Sequence, residues 1–136
     1  MKLDHIGIVV RDIEAALRVY QDALGLPLRE TVDLHDQQVR VALLPLGESN
    51  IELVQPTEET TGVARYLASH GEGIHHICIE VENIEAALAR LEAHQVQLID
   101  REPRRGVHGR VAFVHPKGAH GVLVELVEHD RGAQAP

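Results

Sequence analysis

Apolar and polar residues alternate at the start of the chain, where Ile6, Ile8 and Val10 are the apolar positions. This two-residue period predicts a strand with one face against a core. Asp12 then precedes apolar residues at helical spacing, which predicts an amphipathic helix that ends at Gly25. The helix is expected to bury Ile13, Ala16, Leu17, Tyr20 and Leu24.

The same pattern returns in the second half of the chain. Ile77, Ile79 and Val81 alternate with other residues, and Asn83 precedes a second amphipathic helix. This helix is expected to bury Ile84, Ala87, Leu88 and Leu91. Three strands are predicted after each helix, at 28–34, 39–45 and 49–55 and again at 97–101, 110–115 and 121–128.

The two halves are also similar in amino-acid sequence. Residues 5–17 read HIGIVVRDIEAAL and residues 76–88 read HICIEVENIEAAL, with nine of thirteen positions identical. Two further matches follow in the same order, RVAL at 40–43 with RVAF at 110–113 and IELV at 51–54 with VELV at 124–127. The chain is therefore a tandem duplication of βαβββ units, which predicts an α+β fold.

The duplication sets the predicted domain organisation. A single domain covers residues 1–128, with the first repeat at about 1–57 and the second at about 73–128. Residues 61–70 are expected to form a linking helix closed by a glycine. Residues 129–136 have no apolar period, and we expect this tail to fray.

One histidine and one glutamate recur at matching positions of the two repeats. His5 and His76 start the matching strands and face away from the apolar side, and Glu52 and Glu125 lie between apolar neighbours. A single histidine at the start of a strand is ordinarily a hydrogen-bonded structural residue. A single glutamate in a strand ordinarily faces solvent. A carboxylate in an apolar strand is costly, however, unless it is paired or bound to a metal. The recurrence favours four ligands to one divalent ion, and imidazole with carboxylate suits Co²⁺, Ni²⁺, Zn²⁺ or Mn²⁺.

Small residues share the face of these histidines. Gly7 and Cys78 follow His5 and His76 by two positions, and their size leaves room for a substrate. No basic residue adjoins Cys78 in sequence, so a wall residue is a better interpretation than a nucleophile. His75 points to the opposite face and is interpreted as structural or as a residue that supports a metal ligand.

Composition and charge exclude several classes of partner. The chain has 136 residues and a formal net charge of −8, which argues against nucleic acid and anionic membranes. No apolar run is long enough to span a bilayer, and the first residues, MKLDHIGIVV, do not resemble a signal peptide. With a single cysteine, an internal disulfide is impossible. These features predict a cytoplasmic protein.

A basic segment over 101–117 departs from the acidic whole. Against a single glutamate, it holds Arg101, Arg104, Arg105, Arg110 and Lys117. The segment is either a solvated loop or a binding site for a carboxylate or for phosphates of the substrate.

Paired βαβββ units with a repeated His/Glu set resemble the vicinal oxygen chelate superfamily, which includes glyoxalase I, extradiol dioxygenases and bleomycin-resistance proteins. GEGIHHI and the ending HPK…GVLVEL are most similar to its methylmalonyl-CoA epimerase family. The likeness extends over nearly the whole chain. It implies a curved, half-barrel mixed sheet with outer helices, one divalent ion per chain with Co²⁺ favoured, an acyl-CoA substrate and a homodimer. The implied ligands are again His5, Glu52, His76 and Glu125.

The resemblance implies interconversion of (2R)- and (2S)-methylmalonyl-CoA by proton transfer at the α-carbon. Glu125 is then the expected base, and Arg104, Arg105 and Lys117 are candidates to hold the coenzyme A phosphates. One departure stands out, because some epimerases have a further glutamate on the strand at 39–45, where Gln38, Arg40 and Val41 are the nearby residues here. Two alternatives stay open: glyoxalase I (lactoylglutathione lyase), or a non-catalytic small-molecule-binding protein of the same fold.

Overall fold

The computed structural model describes residues 1–131 of the chain. Its strands are β1 (Lys2–Val9), β2 (Glu30–Leu34), β3 (Val39–Leu46), β4 (Ser49–Pro56), β5 (Gly73–Glu80), β6 (Arg104–Arg105), β7 (Gly109–Val114) and β8 (Val124–His129). Its α-helices are α1 (Ile13–Leu17), α2 (Gly62–His70) and α3 (Ile84–Ala93). A π-helical segment, Arg18–Ala23, continues α1, and a 3₁₀ helix covers Pro116–Ala119. Within residues 1–131, no helix has the length and apolar character needed to cross a membrane.

These elements form two compact units. The N-terminal unit is His5–His75, and the C-terminal unit runs from His76 onward and includes Met1–Asp4. Strand order is β2-β3-β4-β1 in the N-terminal unit and β5-β8-β7-β6 in the C-terminal unit. In both units the first strand of the repeat runs parallel to the last, and the remaining pairs are antiparallel. The predicted βαβββ repeats are therefore confirmed.

The first helix departs from its prediction at Leu24, which is 65% exposed rather than buried. Because Arg18–Ala23 is π-helical, the N–H of Leu24 donates to the Val19 carbonyl five residues back, at 2.8 Å, and the side chain leaves the buried face. Leu26 and Leu28 pack against the core in its place. The other predicted positions do pack there, namely Ile13, Ala16, Leu17 and Tyr20.

The remaining helices match their predictions. Asn83 accepts the N–H of Ala86 at 2.9 Å and begins α3. Thr61 accepts the N–H of Ala64 at 3.0 Å to begin α2, and Gly71, with a φ of 79°, ends it. The predicted buried face of α3 is confirmed in full, with Ile84, Ala87, Leu88 and Leu91 in one apolar cluster.

The strand predicted over 97–101 is wrong. Leu98 makes only an isolated bridge to β7, and the paired strand begins at Arg104. Between these two residues, the Asp100 carboxylate accepts the N–H of Phe113 at 2.9 Å. A side chain thus takes the donor that a backbone ladder uses, and the segment bulges away. The other predicted strands lie within three residues of the observed bounds.

The chain end is ordered further than its apolar pattern indicates. β8 extends to His129, one residue into the predicted tail of 129–136. The next residue, Asp130, forms an ion pair with Arg105. The last part of that tail, 132–136, lies outside the described residues.

A side chain ties each helix to the strand beside it in the same way. Gln55 of β4 accepts the N–H of Ile13 at 2.8 Å, and Glu128 of β8 accepts the N–H of Ile84 at 3.0 Å. In the C-terminal unit, Arg110 also donates to Glu128 at 2.9 Å. The Ile84 N–H and then the Arg110 guanidinium hold the pKa of the Glu128 carboxyl below its ordinary value.

We expect Glu128→Gln to lower the free energy of unfolding by about 1 kcal/mol at neutral pH, because a charge-assisted hydrogen bond becomes a neutral one. The lowered pKa makes this contribution present above the unfolded-state pKa of about 4.3 and lost as pH falls through the folded-state value. In urea unfolding, the difference in the free energy of unfolding between variant and wild type should therefore decrease as the pH is lowered. Glu82→Gln, at an exposed position, is the control. A difference in the free energy of unfolding that stays constant with pH contradicts the stabilising role given to the Glu128 carboxylate.

Candidate active site

His5 and Glu52 meet on one face of the N-terminal unit. β1 and β4 are parallel neighbours, with Glu52 opposite Gly7 in the register. Glycine has no side chain to occupy this face, and Nδ1 of His5 lies 2.9 Å from Oε2 of Glu52. His5 is only 6% exposed.

His76 and Glu125 repeat this arrangement in the C-terminal unit. β5 and β8 are parallel, and Glu125 lies opposite Cys78. Nε2 of His76 is 3.2 Å from Oε1 of Glu125, and His76 is 8% exposed. The ring of Phe113 meets the His76 imidazole edge-on, with 6.0 Å between centroids.

Each unit therefore presents one imidazole nitrogen and one carboxylate oxygen in a largely buried pair. Burial makes an isolated carboxylate costly, so a partner of opposite character is required. Nitrogen and oxygen donors of this kind are those that divalent transition metals bind in proteins. The donor chemistry of both pairs fits a metal ion.

Two residues near these pairs take the structural places expected from the sequence. Cys78 is fully buried and packs with Val111 and Val127, as a wall residue does. His75 packs edge-on against Tyr66, with 4.7 Å between ring centroids.

The basic segment is largely neutralised by acidic partners. Its four arginines each lie within ion-pair distance of a carboxylate: Arg101 with Glu92, Arg104 with Asp100, Arg105 with Asp130, and Arg110 with Glu85 and Glu128. Lys117 forms no ion pair within residues 1–131. Carboxylates from outside the 101–117 segment, Asp100 among them, thus offset much of its positive charge in the folded chain.

Phe113 is a residue of this site that was not predicted from the sequence, although the match between the two repeats could have indicated it. It lies opposite Glu125 in the β7–β8 register, just as Leu43 lies opposite Glu52. The guanidinium of Arg104 stacks 5.7 Å from the centre of the Phe113 ring. The Phe113 ring therefore contacts both the Arg104 guanidinium and the His76 imidazole.

The departure noted on the strand at 39–45 is visible in β3. The positions that alternate toward Glu52 are apolar, because Val39, Val41 and Leu43 pack in one cluster. β3 supplies no carboxylate to this face.

Residues 4–114 match the profile of the Glyoxalase/Bleomycin resistance protein/Dioxygenase superfamily. The chain belongs to this superfamily. The α+β class and the tandem βαβββ organisation predicted from the sequence are those of the superfamily fold and are confirmed.

Several members of the superfamily are similar to this chain over most of their own length. The ethylmalonyl-CoA/methylmalonyl-CoA epimerase of Cereibacter sphaeroides is 43% identical over 92% of this chain and 96% of its own. The human mitochondrial methylmalonyl-CoA epimerase is 39% identical over 92% of this chain and 72% of its own. A variant of the Streptomyces coelicolor methylmalonyl-CoA epimerase, in complex with 2-nitronate-propionyl-CoA, is 37% identical with a TM-score of 0.90 and covers 95% of this chain and 94% of its own. The predicted resemblance to methylmalonyl-CoA epimerases is confirmed.

Proposed function

We propose that this protein is an isomerase that interconverts (2R)- and (2S)-methylmalonyl-CoA. The observation that carries the proposal is identity of 39–43% to proteins named as such epimerases, over at least nine-tenths of this chain. The repeated His–Glu pairs supply donor groups suited to that chemistry. The acyl-CoA analogue in the Streptomyces coelicolor relative supports a coenzyme A thioester as the substrate class.

His5, Glu52, His76 and Glu125 are the residues that hold one divalent ion per chain in this proposal. Support comes from the recurrence of both residue types, from the burial of the two histidines, and from the short nitrogen–oxygen distance in each pair. Co²⁺ is favoured by the family resemblance, and Ni²⁺, Zn²⁺ and Mn²⁺ suit the same donors. An ion held by these residues would supply Lewis-acid chemistry to the bound substrate.

The proton chemistry falls to Glu125. One oxygen of its carboxylate lies by the His76 imidazole, and the group has a second oxygen at which it can accept the α-proton. Two apolar residues lie beside this carboxylate: Cys78, which is fully buried, and Phe113, whose ring meets the His76 imidazole edge-on. Inversion also requires a proton donor on the other face of the substrate. β3 offers no carboxylate for this step, so the donor is a different group.

Arg104, Arg105 and Lys117 are proposed to bind the coenzyme A portion. Lys117 lies in the 3₁₀ helix and has no competing ion pair in the described chain. For Arg104 and Arg105, a phosphate has to share the guanidinium with Asp100 and Asp130. A homodimer, which the family resemblance implies, and a cytoplasmic location, which the composition of the chain predicts, complete the proposal.

The proposal predicts α-deuterium incorporation when metal-loaded protein is incubated with (2R)- or (2S)-methylmalonyl-CoA in D₂O. Exchange should depend on the protein and cease after the metal is removed with a chelator. Mass spectrometry of the acyl-CoA gives the measurement. Absence of exchange, together with turnover of the methylglyoxal–glutathione hemithioacetal, assigns glyoxalase I activity instead. Binding of the acyl-CoA with neither reaction assigns a non-catalytic binding protein.

A further inference from the structure

A second set of metal-type donors lies on the face of β5 and β8 that carries His76 and Glu125. Glu80 follows His76 by four residues on β5, and His129 follows Glu125 by four on β8. Residues four apart on a strand point to the same face and are about 13 Å apart. On this face, each strand therefore carries one histidine and one glutamate, in opposite order, at two separate places.

The second place is completed by Asp4. Nε2 of His129 lies 2.6 Å from Oδ1 of Asp4 and 3.3 Å from Oε1 of Glu80. One ligand atom from each of these three residues lies within 4.8 Å of the other two. Asp4 is 8% exposed, so a carboxylate has been buried here as well.

We propose that Asp4, Glu80 and His129 form a second metal site, which binds a divalent transition ion such as Zn²⁺. One imidazole nitrogen faces two carboxylates, whereas a proton on that nitrogen can be donated to only one of them at a time. A divalent ion binds all three groups and balances both negative charges. The ammonium of Lys2 lies 4.0 Å from Glu80 and is partly exposed.

The cluster is not a copy of the duplicated ligand set. The positions that match Glu80 and His129 in the first repeat are Val9 and Pro56, neither of which can bind a metal through its side chain. The site is therefore specific to the C-terminal unit, and it does not depend on the proposed epimerase activity. With three protein ligands, it should bind more weakly than a site with four.

The test is Zn²⁺ titration of His76→Ala, in which the proposed catalytic site is disabled. Calorimetry should show about one equivalent bound, and Zn²⁺ should raise the Tm by mass action. The double variant His76→Ala/His129→Ala should lose both signals. Glu80→Gln in the same background provides a second disruption in case removal of His129 unfolds the chain, which circular dichroism reports.

His35→Ala in the His76→Ala background is the matched control, since His35 is an exposed turn residue. It should leave the titration unchanged. The proposal is overturned if His76→Ala binds no Zn²⁺, or if folded His129→Ala and Glu80→Gln double variants bind it undiminished. Neither outcome bears on the deuterium-exchange assay, so the two proposals fail separately.

Discussion

Replacing Glu125 by glutamine should slow α-proton exchange on methylmalonyl-CoA by about 10²–10⁴-fold, the usual cost of removing a general base. The amide oxygen of glutamine can still face His76, at the place where the carboxylate now lies 3.2 Å away. The amide cannot accept the α-proton, however. Metal content and exchange are therefore expected to separate in this variant, with partial metal retention and very little deuterium incorporation.

Glu52→Gln is the matched control, because Glu52 pairs with His5 in the same way but is not assigned as the base. A neutral amide oxygen can still act as a ligand, so the exchange rate should fall less than in Glu125→Gln. The order of the two variants is decisive. Abolished exchange in Glu52→Gln, with near-normal exchange in Glu125→Gln, places the base in the N-terminal unit.

The second large effect concerns metal binding. Dialysed wild-type protein should retain about one tightly bound divalent ion, and His5→Ala or His76→Ala should retain almost none, since each loses an imidazole ligand. α-Proton exchange should be lost with the ion. Elemental analysis after dialysis measures the first effect, and the deuterium assay measures the second.

His75→Ala is the control for the neighbouring position. Its ring packs on Tyr66, so its removal should leave the tightly bound ion in place. Full metal content in both His5→Ala and His76→Ala would falsify the ligand assignment.

The duplication explains why the paired residues were predictable. A residue type kept at the same place in both repeats, as His5 and His76 are, stands out against diverged neighbours. Alternation along the strands then gives the face. The short His–Glu distances within each unit agree with both inferences.

Errors arose where one local feature changed the geometry. Helical spacing assumes an α-helix throughout, so it could not reveal the π-helical turn that exposes Leu24. Strand alternation likewise could not show that the Asp100 side chain takes the N–H of Phe113 and ends the ladder.

Contacts between residues far apart in the sequence were the hardest to predict. Asp4 and His129 lie at opposite ends of the chain, and no local pattern joins them. The arginines of the basic segment were counted as a positive cluster because their acidic partners, such as Glu85 for Arg110, lie outside it.

The side-chain ties at the helix starts give each half of the molecule its own spectroscopic reporter. Gln55 and Glu128 stand three residues after Glu52 and Glu125, and each accepts one backbone N–H, that of Ile13 or of Ile84. A displacement of either glutamate along its strand changes the length of that hydrogen bond, to which amide chemical shifts respond. In a ¹⁵N-labelled sample, the Ile13 and Ile84 signals therefore record separately what happens at Glu52 and at Glu125.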